Sequence, residues 1–241
     1  GDTMPILELA KKKKLSISRV EEYYNALRTN IQLSGENIKV IAVSSTFPGE
    51  GKTTTSTNLA LTFANAGYKT LLIDADIRNS KMLGGVFRSS EKITGLTEYL
   101  SGNTDLSQGL CETDEENLFV ITSGQASPNP TALVQSEKFE VMMDVLRRHY
   151  DYIIVDTPPI GMVIDATLIS KFCDASMLVV ASNVVKRKMV QKSKTQLEQS
   201  STPFLGVILN KYNVEADKYG FYGSYGNYGD RLREEEKKSE K

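Results

Sequence analysis

Two hydrophobic textures alternate along this chain. Short runs such as Val40 to Val43, Leu71 to Ile73 and Ile153 to Val155 are apolar at successive positions, the pattern of strands covered on both faces. Longer stretches between them carry apolar groups at helical spacing. In residues 19–33, RVEEYYNALRTNIQL, these are Val20, Tyr23, Tyr24, Leu27 and Ile31. The pattern predicts strands at 38–44, 69–78, 117–124, 150–159, 175–182 and 204–211. It predicts helices near 51–66, from the turn at 127–133 to about 149, at 163–171 and at 186–199, with short helices and turns across 92–110. Alternation of this kind implies an α/β fold with a mostly parallel sheet and helices on both faces.

The texture changes after Asn213. Tyr219, Tyr222, Tyr225 and Tyr228 are each followed directly by glycine, and glycine at that density disfavours a helix. The chain therefore divides into a flexible basic N-terminal segment at 1–18, one folded domain at 19–213 that opens with the helix 19–33, and a flexible tyrosine-, glycine- and charge-rich tail at 214–241.

Composition narrows the function classes. The 241 residues carry a net charge near −1, so no global field favours nucleic acid. Charge is local: Lys11 to Lys14 form a run, and 231–241 is dense in both signs. The cysteines are Cys111 and Cys173, and the single histidine is His149, which argues against a disulfide scaffold and a Cys/His metal centre. His149 reads as a residue at a helix end, without chemistry. There is neither an apolar run long enough to span a membrane nor a signal-like N-terminal segment.

The chemistry begins where the first strong strand runs into "STFPGEGKTT" (45–54). Glycines between a strand and a helix let backbone N–H groups curl around phosphate oxygens. Gly49 and Gly51 permit the curl, Lys52 extends to the β- and γ-phosphates, and the Thr53 hydroxyl suits Mg²⁺. Thr46 stands where the common loop has its first glycine. Strand-end carboxylates, Asp74, Asp76 and Asp156, would gather at the carboxyl edge of a parallel sheet and suit a hydrated Mg²⁺; each could instead cap the following turn. Asn210 could read an adenine edge or serve a turn, and Arg78 could offset phosphate charge or lie on the surface.

With these motifs the chain resembles the bacterial tyrosine autokinases of capsule and exopolysaccharide operons, in the Gram-positive form whose kinase is a separate chain. The resemblance runs from about residue 4 to 229. It implies a P-loop NTPase fold of the MinD/ParA-like type, in which "PGEGKTT" (48–54) is the Walker A motif, "LLIDAD" (71–76) an extra acidic strand and "IIVDTPP" (153–159) Walker B. By that resemblance Gly49, Glu50, Gly51, Lys52, Thr53 and Thr54 hold ATP, and Asn210 is the candidate for its base. Thr53, Asp76 and Asp156 hold Mg²⁺, and Lys52, Asp74 and Asp76 are catalytic, with Asp74 orienting or deprotonating the tyrosine. Tyr219, Tyr222, Tyr225 and Tyr228 match the family's phosphoacceptor cluster, and Tyr212 is a further candidate.

The resemblance further implies a kinase in the cytoplasm, recruited to the membrane by an adaptor of the chain-length-determinant (polysaccharide co-polymerase) type. It also implies self-association, possible as a ring, and a cognate tyrosine phosphatase. Of the family's Glu-x-x-Arg-x-x-Arg oligomerisation helix, Glu22 and Arg28 are present and Asn25 replaces the middle arginine. Lys11 to Lys14 would suit an acidic leaflet or a solvated linker. Two rivals share the fold or the tail. A MinD/ParA-like ATPase switch would carry an extra lysine where Phe47 stands, and a nucleotide-gated scaffold would use the tyrosines only as contacts. An iron–sulfur reductase of the same fold lacks its cysteine motif here.

Overall fold

A computed structural model describes residues 3–211 of the chain. Its described strands are β1 (Ile6–Leu9), β2 (Val40–Ser45), β3 (Thr70–Asp74), β4 (Phe87–Arg88), β5 (Leu110–Thr113), β6 (Leu118–Ile121), β7 (Tyr152–Asp156), β8 (Ala175–Ala181) and β9 (Phe204–Asn210). The helices are α1 (Lys11–Ser34), α2 (Lys52–Asn65), α3 (Met82–Gly85), α4 (Leu96–Leu100), α5 (Leu106–Gly109), α6 (Pro130–Val134), α7 (Glu137–His149), α8 (Asp165–Ser170) and α9 (Arg187–Glu198). The strands form one sheet in the order β4-β1-β5-β6-β3-β7-β2-β8-β9. Pairing is parallel except between β5 and β6 and between β1 and β4.

The central strands are apolar throughout because each face of the sheet has its own core. Ile41, Val43, Leu72 and Ile154 point to one side, with Ile31 of α1 and Leu59 and Phe63 of α2. Val40, Ala42, Leu71, Ile73, Ile153 and Val155 point to the other, with Phe139 and Met142 of α7 and Ile169 of α8. A strand alternates its side chains between faces, so successive apolar residues are what two covered faces require. At β8, Leu178 and Val180 meet Leu197 of α9.

The amino edge of the sheet is closed by an ion pair. Arg147 Nη1 lies 2.7 Å from both Asp174 carboxylate oxygens, and Asp174 Oδ2 accepts the amides of Lys39 at 2.9 Å and Val40 at 2.8 Å. The end of α7 and the loop before β8 are thereby fastened to the start of β2. With all central strands parallel, their carboxyl ends, and the loops after them, share the opposite edge.

Residues 6–9 and 11–18 differ from the flexible segment that their composition suggests. Leu7 and Leu9 are buried while Ile6 and Glu8 are not, the alternation of a strand covered on one face, and β1 pairs with β5 on one side and β4 on the other. Four residues are too few for that alternation to stand out in sequence. The helix expected at 19–33 starts eight residues earlier, at Lys11, and lysine is a good helix former. The turn expected at 127–133 contains the short helix α6, and the helix expected to reach about 149 is α7, whose start the Ser136 hydroxyl caps by accepting the Phe139 amide at 3.2 Å. The tail at 214–241 lies outside the described residues.

If β1 belongs to the core, Leu7→Ala lowers stability by about 2–5 kcal/mol, as large-to-small core changes do. Chemical denaturation of the two proteins measures this; a difference below about 0.5 kcal/mol, typical of surface changes, would show that the segment is not packed.

Candidate nucleotide-binding site

β2 ends at Ser45 in the middle of the sheet, and residues 46–51 turn the chain into α2. Two turns of the loop use backbone conformations that L side chains avoid: Gly49 has φ of 82° and Gly51 φ of 85°. A Cβ on Gly51 would lie 1.9 Å from Asn210 Nδ2. Gly51 caps α2 without a side-chain hydrogen bond, and the first turn carries no acidic residue. First-turn amides have no intrahelical acceptor, so this helix start presents N–H groups and a partial positive charge, which suits a phosphate.

Side chains that do not face the cavity hold the loop from behind. The Glu50 carboxylate accepts the Phe47 amide at 2.7 Å and the Ala181 amide of β8 at 3.1 Å. Asn210 Nδ2 donates to the Glu50 carbonyl at 2.9 Å. Glu50 and Asn210 therefore spend these contacts on the loop itself, and neither lines the cavity in front of it. Thr46, in the place of the usual glycine, is buried with its Oγ1 2.9 Å from Ser193 Oγ of α9. On the far side, a Cβ at Gly161 would lie 2.1 Å from the Thr46 carbonyl oxygen. Sequence reasoning passed over Gly161, whose one signal was its place just beyond the "TPP" that follows Asp156.

The charged centre forms where β2, β7 and β3 lie side by side. Asp156 is fully buried and pairs in register with Val43 and Asp74. It accepts Lys52 Nζ at 2.8 Å, Thr53 Oγ1 at 2.8 Å and Ser56 Oγ at 3.2 Å. Lys52 Nζ is also 3.8 Å from Asp76 Oδ2. Burial would lower the affinity of Lys52 for its proton, but Asp156 and Asp76 outweigh it and raise the pKa, so the residue is an ammonium. Burial, followed by repulsion from Asp156, pushes Asp74 up to about 8. Asp74 accepts the Ser80 hydroxyl and, at 3.3 Å, the Asp76 amide.

The cavity measures about 430 Å³ and is lined by Lys52, Thr53, Thr54 and Asp76, among others. The oxygens of Thr53, Asp76 and Asp156 are hard donors of the kind Mg²⁺ takes, together with waters and phosphate oxygens. Among the described residues no three acidic, imidazole or thiol groups are gathered as a ligand set. Arg78 lines the same cavity but is turned onto α8. Its Nε and Nη2 lie 2.9 and 3.2 Å from the two oxygens of buried Asp165.

Other candidates are placed elsewhere. Glu22 is exposed on α1. Arg28 Nη1 donates to the Thr62 carbonyl of α2 at 3.2 Å, and Asn25 Oδ1 accepts the Thr62 hydroxyl at 2.8 Å. Of the lysine run, Lys13 and Lys14 contact Thr54 and Asp114. Cys111 and Cys173 are both buried, and burial raises each thiol, Cys111 to about 11, so neither is a thiolate at neutral pH. Tyr212, Tyr219, Tyr222, Tyr225 and Tyr228 lie outside the described residues. No described helix is long and apolar enough to cross a membrane.

The sequence profile of the AAA domain matches residues 38–193, which includes the loop and all three aspartates. The chain is 63% identical to the tyrosine-protein kinase CpsD of Streptococcus pneumoniae, over 91% of this chain and 96% of that protein. This chain belongs to the bacterial tyrosine kinases. The tyrosine-protein kinase YwqD of Bacillus subtilis is 36% identical to it, over 83% of the kinase and 85% of that relative. Among solved structures, the kinase domain of the Escherichia coli tyrosine kinase ETK superposes with a TM-score of 0.75 at 33% identity, covering 78% of this kinase and 74% of that chain. The septum site-determining protein MinD of Pyrococcus horikoshii OT3, solved with Mg-ADP, is similar at a TM-score of 0.61 and 24% identity, over 75% of this chain and 76% of that one. That similarity places the kinase in the MinD-like P-loop fold.

The close approach at Gly161 yields a test of the loop packing. Gly161→Ala forces a methyl against backbone, so it costs about 1–3 kcal/mol. Gly85→Ala, at the rim of the same cavity, meets nothing closer than 3.9 Å and serves as the control. Denaturation midpoints that fall alike for both variants would contradict a tight contact at Gly161.

Proposed function

We propose that this kinase binds ATP and Mg²⁺ at the loop 46–54. It passes the γ-phosphoryl group to Tyr219, Tyr222, Tyr225 and Tyr228 of a neighbouring copy. The observation that carries the reading is the convergence of Lys52, Thr53 and Ser56 on buried Asp156, beside Asp74 and Asp76 and in front of an uncapped helix start. Phosphoryl transfer depends on positioning and charge stabilisation more than on covalent help from protein groups. Lys52 and the first-turn amides of α2 hold the phosphates. Thr53, Asp76 and Asp156 hold Mg²⁺, which when bound offsets phosphate charge. Asp74 accepts the phenolic proton in its ionised form, and a free tyrosine releases that proton only near pH ~10. Burial and Asp156 hold the Asp74 pKa up at about 8, and the positive charge of Mg²⁺ would favour the ionised form.

Lys52 is paired with Asp156, so phosphate binding draws its ammonium from a carboxylate to the nucleotide. Glu50 and Asn210 support binding by shaping the loop, and Thr54 contributes from the first turn of α2. Each phosphotyrosine adds a charge of about −1.5 to −2, so a modified cluster is repelled by the phosphates of a nucleotide held at the loop.

The resemblance to the capsule and exopolysaccharide autokinases supports a role in regulating synthesis and export of such a polymer. In this reading the kinase works at the inner face of the membrane. It binds an adaptor of the chain-length-determinant type, associates with itself through α1 (Glu22 and Arg28), and is reversed by a tyrosine phosphatase. Arg28 and Asn25 already contact α2, so Glu22 is the motif residue whose exposure supports an intersubunit role.

Intact mass after incubation with Mg-ATP and the cytoplasmic tail of a candidate adaptor tests the activity. Wild type gains mass in steps of about 80 Da, one per phosphoryl group, located by peptide mapping to 219–228. Lys52→Met gains none. Consumption of ATP without any mass gain would replace this reading with the ATPase switch.

A further inference from the structure

Lys13 has a place that the phosphate-loop motif does not predict. It belongs to the first turn of α1, 41 positions before Thr54, yet its Nζ donates to Thr54 Oγ1 at 3.0 Å. Thr54 is in the first turn of α2, and both residues line the cavity in front of the loop. The backbone beneath Lys13 is fixed. The Leu9 amide donates to Asp114 at 2.8 Å, the Ala10 amide donates to the Val86 carbonyl at 2.9 Å, and Leu7 and Leu9 are buried.

Its charge is handled differently from that of its neighbour. Lys14 lies 2.6 Å from Asp114 and 3.3 Å from Glu115. Among the described residues the Lys13 ammonium meets a neutral hydroxyl and forms no ion pair. Its helix adds to the imbalance, because α1 begins with lysines and has neither an acidic residue in its first turn nor a side-chain cap. Cations at that end oppose the helix dipole. The uncapped, positive start of α2 faces the same cavity. An anion in the cavity would relieve all three.

We propose that Lys13 is a phosphate-contacting residue of the nucleotide site, supplied by the N-terminal helix to the anion that Lys52 and the α2 amides hold. The inference rests on the nucleotide reading given above. It makes α1 part of the binding site, and it gives one member of the lysine run a role at the nucleotide rather than at a lipid surface.

The test is binding of Mg-ADP to the full chain by isothermal titration, for wild type, Lys13→Met, Lys13→Arg, Lys14→Met and Lys52→Met, at two or more salt concentrations. Loss of one charge-assisted contact predicts a Kd for Lys13→Met raised roughly five- to thirtyfold. Its salt dependence is flatter than that of wild type, because one cation fewer meets the phosphates. Lys13→Arg retains most of the affinity, and Lys14→Met stays within about twofold of wild type, since Asp114 and Glu115 already neutralise that charge. Retention of wild-type Kd and salt slope by Lys13→Met overturns the inference, as does tighter binding, which would make Lys13 an obstruction. Equal loss in Lys13→Met and Lys14→Met also overturns it, since that pattern belongs to a loosened helix. If wild type binds no Mg-ADP and matches Lys52→Met, the nucleotide reading falls and takes this inference with it.

Discussion

A carboxylate with no access to water must be neutralised by the protein that buries it, and Asp156 sets that requirement at the centre of this fold. A buried ion left unpaired costs several kcal/mol. Lys52, Thr53 and Ser56 meet the demand from α2, two at its first positions and one about a turn later. Helix and strand are thereby fixed to one another, and the six residues between Ser45 and Lys52 have little freedom left. The left-handed glycines and the double acceptance by Glu50 are the way a short chain spans that gap. The arrangement that satisfies Asp156 also directs the amides of α2 into the cavity, so stability and anion binding have one geometric origin.

The central architecture was legible in sequence because β2, β3, β7 and β8 are covered on both faces, and an unbroken apolar run of strand length rarely fits a half-exposed position. The loop was legible because phosphate binding needs glycines, a lysine and a hydroxyl at close spacing. Elements toward one end of the sheet were not. β1, β4 and β5 have two to four residues each, and half-exposed strands of that length leave almost no periodicity.

The finer roles were hidden for a different reason: they depend on partners that only folding brings near. Glu50 meets Ala181 across 131 positions and Asn210 meets Glu50 across 160, while Arg78 finds Asp165 across 87. A local pattern names residue types that could meet a ligand. It does not reveal which of them are committed to each other.

α1 joins two regions that the sequence keeps apart. Its first turn lies at the phosphate loop, and its middle lies along α2 through Asn25 and Arg28, with Glu22 and Tyr23 exposed on its outer side. Nucleotide contact and the proposed self-association would thus be carried by a single helix resting on the helix that begins at Lys52.

The Asp174 clasp at the other edge of the sheet has a geometric consequence. By accepting two successive amides at the start of β2, it sets a zero mark from which the height of Lys52 above the sheet is counted. One residue inserted into β2 beyond that mark would advance the loop by about 3.3 Å and turn its remaining side chains to the opposite face. All three donors to Asp156 would miss together. The strand works as a ruler of fixed length, and its far-end fastening makes the spacing between the apolar run and the glycines as binding a requirement as the glycines themselves.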